Sequence, residues 1–200
     1  NCETDFVAKG ERFIALAEQV LAQAIATEAT DAEALVASTL PDGRTVAELL
    51  IEGNAATGEK IEVRRVARVT GERVVAYLHK TSRDLPAQIG VLLATSGGDE
   101  EIAHDVAMHV AAFSPTVLAR ADVPADVVAN EQRIAEATAR EEGKPEAALP
   151  RIIEGRVNGY FKENVLLEQA FAKDQKKSVA QVLKEAGAEA TGFARFRVGN

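Results

Sequence analysis

Apolar residues recur at two spacings along this 200-residue chain, and the order of those spacings restricts the fold more than any other feature. Phe13, Ile14, Ala17, Val20, Leu21, Ala24 and Ile25 form a stripe at helical spacing. With Thr4 and Asp5 suited to an N-cap, it predicts one helix from about Asp5 to Ala26. A short helical piece is expected near Asp31–Val36, then a turn at Leu40-Pro41-Asp42-Gly43. Thr45 and Glu48 have capping-box spacing and start a helix expected to end near Gly53. The pattern then changes. Lys60–Thr70, Arg73–His79 and Gln88–Thr95 read as antiparallel strands joined by short connections.

Helical spacing returns over Asp99–Phe113, with Ile102, Val106, His109, Val110 and Phe113 on one face, and Ser114-Pro115 stops it. Two further amphipathic segments lie on either side of Gly143-Lys144-Pro145, the first entered at Val123-Pro124 and the second carrying Ile152, Ile153, Val157, Tyr160 and Phe161. They are expected to pair as an antiparallel helical hairpin, with Pro150 kinking or restarting its second arm. Ser178 and Gln181 repeat the capping-box spacing, and Ala190–Val198 closes the chain as a strand. Helices and strands that follow each other without strict alternation imply an α+β fold.

Composition narrows the function. The formal charge is −8, from 31 acidic and 23 basic residues, which argues against a general nucleic-acid binder. With no Trp, two Tyr and seven Phe, the core has to be built mainly from Ala, Val, Leu and Ile. No apolar run approaches the roughly 20 residues needed to span a bilayer. The lone Cys2 forms no internal disulfide, which fits a reducing cytosol and a cytoplasmic protein, and reads as a small buried hydrophobe.

No arrangement of reactive groups stands out in the sequence. His104 and His109 are five apart, which does not put them on one helix face, and no motif joins a nucleophile to a base, so neither a metal site nor an enzyme is expected. Thr95-Ser96-Gly97-Gly98 before a helix has the look of a phosphate cradle, but it lacks Lys and is followed by Asp99, Glu100 and Glu101. Arg64, Arg65, Arg68 and Arg73 make the dense basic patch, either a salt-bridged sheet face or a contact with an acidic partner. On periodicity alone, Phe6 and Val7 read as a hydrophobic staple or the edge of a core.

The segment Asn1-Cys2-Glu3-Thr4-Asp5-Phe6-Val7-Ala8-Lys9 closely resembles the signature of the elongation factor Ts family, the guanine-nucleotide exchange factors of the GTPase elongation factor Tu. The resemblance recurs in order at Ile61–Ala67, at Ile89-Gly90-Val91-Leu92 with Ala107–Ala112, at Glu154-Gly155-Arg156 and at Thr191–Phe196, and so covers nearly the whole chain. It implies two similar subdomains with small antiparallel sheets flanked by helices, from whose second a helical hairpin projects. On that pattern residues 1–71 are the first subdomain, 72–121 with 168–200 the second, and 122–167 the hairpin. A small N-terminal helical domain and two further strands that family members carry are absent from this sequence, which starts without Met and is expected to begin inside a longer protein.

The resemblance also implies a mechanism that needs no catalytic group, cofactor or metal in this chain. Thr4, Asp5, Phe6 and Val7 are the element that enters the GTPase, with Phe6 as a wedge near its Mg²⁺. Further contacts with the GTPase are implied at Gly58, at Thr57, which stands where the family has isoleucine, and at His79. His109 also falls in a family segment, but its apolar stripe makes it a hydrogen-bonded core histidine. The hairpin mediates self-association in some members, which makes a homodimer one expectation. An interaction scaffold that uses the hairpin without exchange activity is the alternative reading.

Overall fold

The computed structural model describes residues 2–199. Its elements are mixed helix and strand without alternation, the α+β class expected. The chain divides into two compact units, Asn1–Val69 with Leu78–Gly90 and Phe196–Asn200, and Thr70–Tyr77 with Val91–Arg195.

The described residues of the first unit form four helices, α1 (Asp5–Lys9), α2 (Glu11–Ala26), α3 (Ala32–Ala37) and α4 (Val46–Thr57). The single helix expected over Asp5–Ala26 is therefore two. Gly10 sits at φ −67° and ψ 130°, so its N–H closes α1 on the Val7 carbonyl while its own carbonyl accepts from Ile14 and opens α2. The stripe on α2 is also rotated from the expected one. Leu16 and Gln23 are buried and Phe13, Val20 and Ala24 half-buried, whereas Ile14, Leu21 and Ile25 face outward. Gln23 lies inside because its amide donates to Ser38 Oγ (2.9 Å) and to the Thr39 carbonyl (3.0 Å). The core here is Leu16, Leu35, Leu40, Val46, Leu49 and Leu50, with Val20, Ala24, Ile61, Val63 and Val66 packed on it.

Two expectations about α4 and the segment after it are corrected. The helix does not end near Gly53; it runs to Thr57 and stops at Gly58, whose φ of +74° is the left-handed conformation a C-terminal glycine adopts without strain. Gly53 has a packing role instead, because a Cβ there would lie 2.5 Å from Leu16 Cδ2 on α2. The strand expected over Lys60–Thr70 is not formed. Ile61, Val63 and Val66 still pack inward while Glu62, Arg64 and Arg65 face out. Alternation fixes which side chains are buried, but a strand also needs a backbone partner, and the described residues supply no ladder to this segment.

The three-stranded sheet has the order β1-β2-β5, from β1 (Arg73–His79), β2 (Ile89–Gly97) and β5 (Ala188–Arg197). The Gln88 N–H bonds the His79 carbonyl at 3.0 Å and the Val198 N–H bonds the Gln88 carbonyl at 2.8 Å, as neighbouring antiparallel strands require. In the second unit Val91, Leu93 and Ala94 of β2 are buried, as are Ala103, Val106, Ala107 and Val110 of α5 (Glu100–Phe113). Asp99 caps α5 through the Ile102 N–H, and Ser114 ends it at φ +52° before Pro115.

Helix α6 (Ala125–Glu141) is followed by α7 (Leu149–Asn164). Val123, Val127 and Val128 at the start of one share a cluster with Val157, Phe161 and Val165 at the end of the other. Pro150 falls in the first turn of α7, where its missing N–H costs no helical bond. A short antiparallel pair, β3 (Ala170–Phe171) and β4 (Asp174–Ser178), was not foreseen. The polar Asp174-Gln175-Lys176-Lys177 has none of the β-branched or aromatic content by which strands are recognised. The capping box at Ser178 and Gln181 starts α8 (Val179–Glu185) as expected.

If Gly53 is retained for the close approach of Leu16, Gly53→Val overpacks the α2–α4 contact and destabilises the protein by about 1–3 kcal/mol. Urea midpoints at equal m-value measure this. An unchanged or higher midpoint would mean that a side chain has room at this contact.

Candidate partner interface

The N-terminal segment is built from local polar contacts. Thr4 is extended (φ −126°, ψ 152°), and its Oγ1 accepts from the Val7 N–H at 3.3 Å, the N-cap the sequence indicates. Asp5 opens the helix and accepts from Lys9 Nζ at 3.0 Å, one turn on. That hydrogen bond and the lysine charge hold the Asp5 carboxyl below the usual range. No residue of α1 is buried. Val7 is half-buried, and Phe6 is 84 % exposed, which overturns the staple and core-edge readings of that side chain.

Thr57 and Gly58 reach this segment through Glu59, a residue that sequence reasoning missed. The Glu59 carboxylate accepts from the Glu3 N–H at 2.9 Å and the Thr4 N–H at 3.4 Å. Thr57 Oγ1 donates to the Gly53 carbonyl at 2.9 Å and accepts from the Glu59 N–H at 3.3 Å, so its hydroxyl is engaged within the fold. The available signal was a carboxylate directly after a glycine that ends a helix, a pattern too common to single out. His79 lies at the end of β1 with its side chain at an exposed position.

The arginines serve different ends. Arg68 pairs with Glu28 at 2.8 Å, and Arg73 donates to the carbonyls of Gly97 and Gly98, both at 3.1 Å. Arg65 lies over the Phe196 ring, 4.9 Å from its centroid, beside a cleft of about 330 Å³ that Arg64, Leu78 and Arg197 also line. The Gly97-Gly98 loop offers no cradle to phosphate. The Glu72 carboxylate already accepts from Ser96 Oγ (2.9 Å) and the Gly97 N–H (3.4 Å), and a Cβ on Gly97 would run into the Gly187 carbonyl.

His109 is wholly buried. Its Nδ1 accepts from the Ala172 N–H at 3.1 Å, which leaves Nε2–H to donate to Gln169 Oε1 at 2.8 Å. Phe113 stacks on the ring at 4.6 Å between centroids. Burial lowers its pKa, with the Gln169 bond opposing in part. It is the hydrogen-bonded core histidine expected. His104 is exposed and meets Tyr77 edge-on at 5.5 Å. Cys2 is half-buried and burial pushes its thiol up, away from the reactive thiolate. Among the described residues no group of three or more His, Cys, Asp or Glu is placed to hold a metal ion, and no helix is long and apolar enough to cross a membrane.

A family model described as Elongation factor TS matches residues 3–200. The chain belongs to the elongation factor Ts family. It is 62 % identical over 202 residues to elongation factor Ts of Renibacterium salmoninarum and 64 % over 199 to that of Kineococcus radiotolerans. That of Acidothermus cellulolyticus is 61 % identical over 199 residues. Each match covers 100 % of this chain and 72 % of the relative. Its role is accordingly that of a translation elongation factor.

The buried imidazole fixes the sign of a pH effect. The folded state holds His109 neutral, so below its unfolded pKa of about 6.5 the unfolded chain binds more protons and stability falls with pH. Urea unfolding between pH 8 and pH 5 is expected to show this loss. In His109→Gln that component of the slope disappears, although the variant is less stable at pH 8 by about 1–3 kcal/mol. Equal slopes in the two proteins would show that the imidazole is not held neutral.

Proposed function

We propose that this chain is a guanine-nucleotide exchange factor that binds elongation factor Tu–GDP and promotes release of GDP. The observation that carries the reading is Phe6, a large aromatic that is 84 % exposed on a capped helix bearing the family signature. Burying such a side chain yields about 1.5–3 kcal/mol, which this fold leaves unused and a partner can take up. The chain itself transforms no covalent bond. A protein that prefers the nucleotide-free GTPase weakens nucleotide binding by the same factor, and each tenfold takes about 1.4 kcal/mol of differential interaction. Phe6 enters the GTPase near its Mg²⁺ and phosphate groups, while Thr4, Asp5 and Val7 hold and flank it. Thr57, Gly58 and His79 are further contacts. The Mg²⁺ is the partner's, and the chain acts in the cytoplasm without binding nucleic acid directly.

Phe6→Ala is expected to slow stimulated release of fluorescent GDP from elongation factor Tu roughly thirtyfold, as loss of about 2 kcal/mol at an interface aromatic implies, with little change in melting temperature. Unchanged release by the folded variant would remove Phe6 from the mechanism. No stimulation by the unaltered protein would leave the scaffold reading.

Residues 122–167 are proposed as a separate module, with self-association as its role. Its ends are held next to each other by Leu166 N–H to the Val117 carbonyl (2.9 Å) and Leu167 N–H to the Leu118 carbonyl (3.2 Å). Replacing residues 124–161 by a short linker is therefore expected to leave the remainder cooperatively folded by circular dichroism. Loss of the melting transition would make the helix pair an integral part of the second unit.

A further inference from the structure

The helix that presents Phe6 cannot hold itself in place. It has five residues, far short of the roughly 12–15 at which an isolated helix becomes even marginally stable, and it buries none of them fully, with only Val7 and Ala8 half-buried. The Thr4 cap and the Asp5–Lys9 pair are internal to the segment, so they shape the turn without fixing where it points. Glu59 supplies that fixing contact from more than fifty residues away in sequence. One carboxylate takes two successive backbone N–H groups, Glu3 on Oε2 and Thr4 on Oε1, in charge-assisted bonds just ahead of the first helical turn.

Glu59 is itself held on both sides by the last turn of α4. Its N–H donates to Thr57 Oγ1, and two residues on the Ile61 N–H donates to Asn54 Oδ1 at 2.7 Å. Between them Gly58 takes the left-handed turn that brings the chain out of the helix. An unbroken series of contacts therefore runs from α4 through Thr57 and Glu59 to the cap of α1. Thr57, which stands where the family has isoleucine, contributes the hydroxyl that seats Glu59.

We propose that Glu59 is a positioning residue for Phe6: its carboxylate anchors the backbone of Glu3 and Thr4 to the end of α4, so that the aromatic is held in its entering orientation before the partner arrives. This inference rests on the exchange reading of Phe6. Its physical content is preorganisation, since ordering the segment in advance removes that cost from the exchange step.

A double-mutant cycle tests it, with stimulated release of fluorescent GDP from elongation factor Tu as the readout and melting temperature as the control. Glu59→Ala is expected to slow release about fivefold to tenfold, as expected when a preorganised contact segment is set free. Glu59→Gln, which keeps one acceptor oxygen, should fall between. In the Phe6→Ala background Glu59→Ala should slow release no further, because nothing remains to be positioned. A merely structural loss would scale both backgrounds alike, so equal slowing in the two overturns the proposal while leaving the role of Phe6 intact. Undiminished release by Glu59→Ala also overturns it. If Phe6→Ala itself changes nothing, the exchange reading fails and the positioning role with it. Should Glu59→Ala fold poorly, Glu59→Gln, which removes one of the two acceptor oxygens, carries the same comparison in both backgrounds.

Discussion

The contact between Leu16 and Gly53 is the point on which the first unit turns. A glycine in the middle of a helix costs about 1 kcal/mol relative to alanine, and here that cost allows α2 and α4 to approach until Leu16 fills the place of the missing side chain. Leu49 and Leu50 of α4 then join Leu16 and Leu35 in one cluster, and Ile61, Val63 and Val66 pack on it from the segment that follows. Because α4 is seated in this way, its last turn offers Asn54 and Thr57 at fixed positions, and the chain leaving through Gly58 is set by them. The N-terminal segment is tied to that exit. A large part of what the first unit presents outward thus depends on one close approach between helices.

The second unit is organised around a polar pair. Gln169 accepts from His109 and donates to the carbonyls of Phe113 (3.3 Å) and Glu163 (2.7 Å), while His109 accepts from the Ala172 N–H. Every polar atom of the two side chains is matched, and the bonds join α5, the end of α7 and the residues on either side of β3 across a core made mainly of aliphatic residues. A fully satisfied buried network of this kind specifies one arrangement where aliphatic packing alone tolerates several. On the outer side, Arg120 bonds Glu168 through Nε (2.7 Å) and Nη2 (2.6 Å) and lies 4.2 Å from the Phe161 centroid. The stretch ahead of α6 is thereby fastened to the stretch after α7.

The candidate site is a matter of presentation. An exposed Phe6 is an unrealised burial term, and a capped short helix is a cheap way of displaying it. Neither feature transforms a substrate. Both suit a protein whose effect on a partner comes from binding one of the partner's states more tightly than another, where the work is done by differential contact area and by how firmly the contacting groups are held.

Much of this was legible in the chain itself. The helices after Thr45 and Ser178 follow from capping boxes, because the bonds that start a helix are local, and α5 follows from its apolar spacing. Strand β1 follows from β-branched content, and His109 from its place on an apolar stripe. The motif Thr4–Val7 was readable as a signature, but its exposure was not, since periodicity gives the same expectation for a staple and for a displayed wedge. Only the tertiary structure decided the break at Gly10, the rotation of the α2 stripe, the packing role of Gly53 and the clamp of Glu59 on residues fifty-five and fifty-six positions earlier. The physical reason is common to the last three. Capping and spacing are settled within a few residues, whereas burial, close approach and backbone pairing depend on what a distant part of the chain brings alongside.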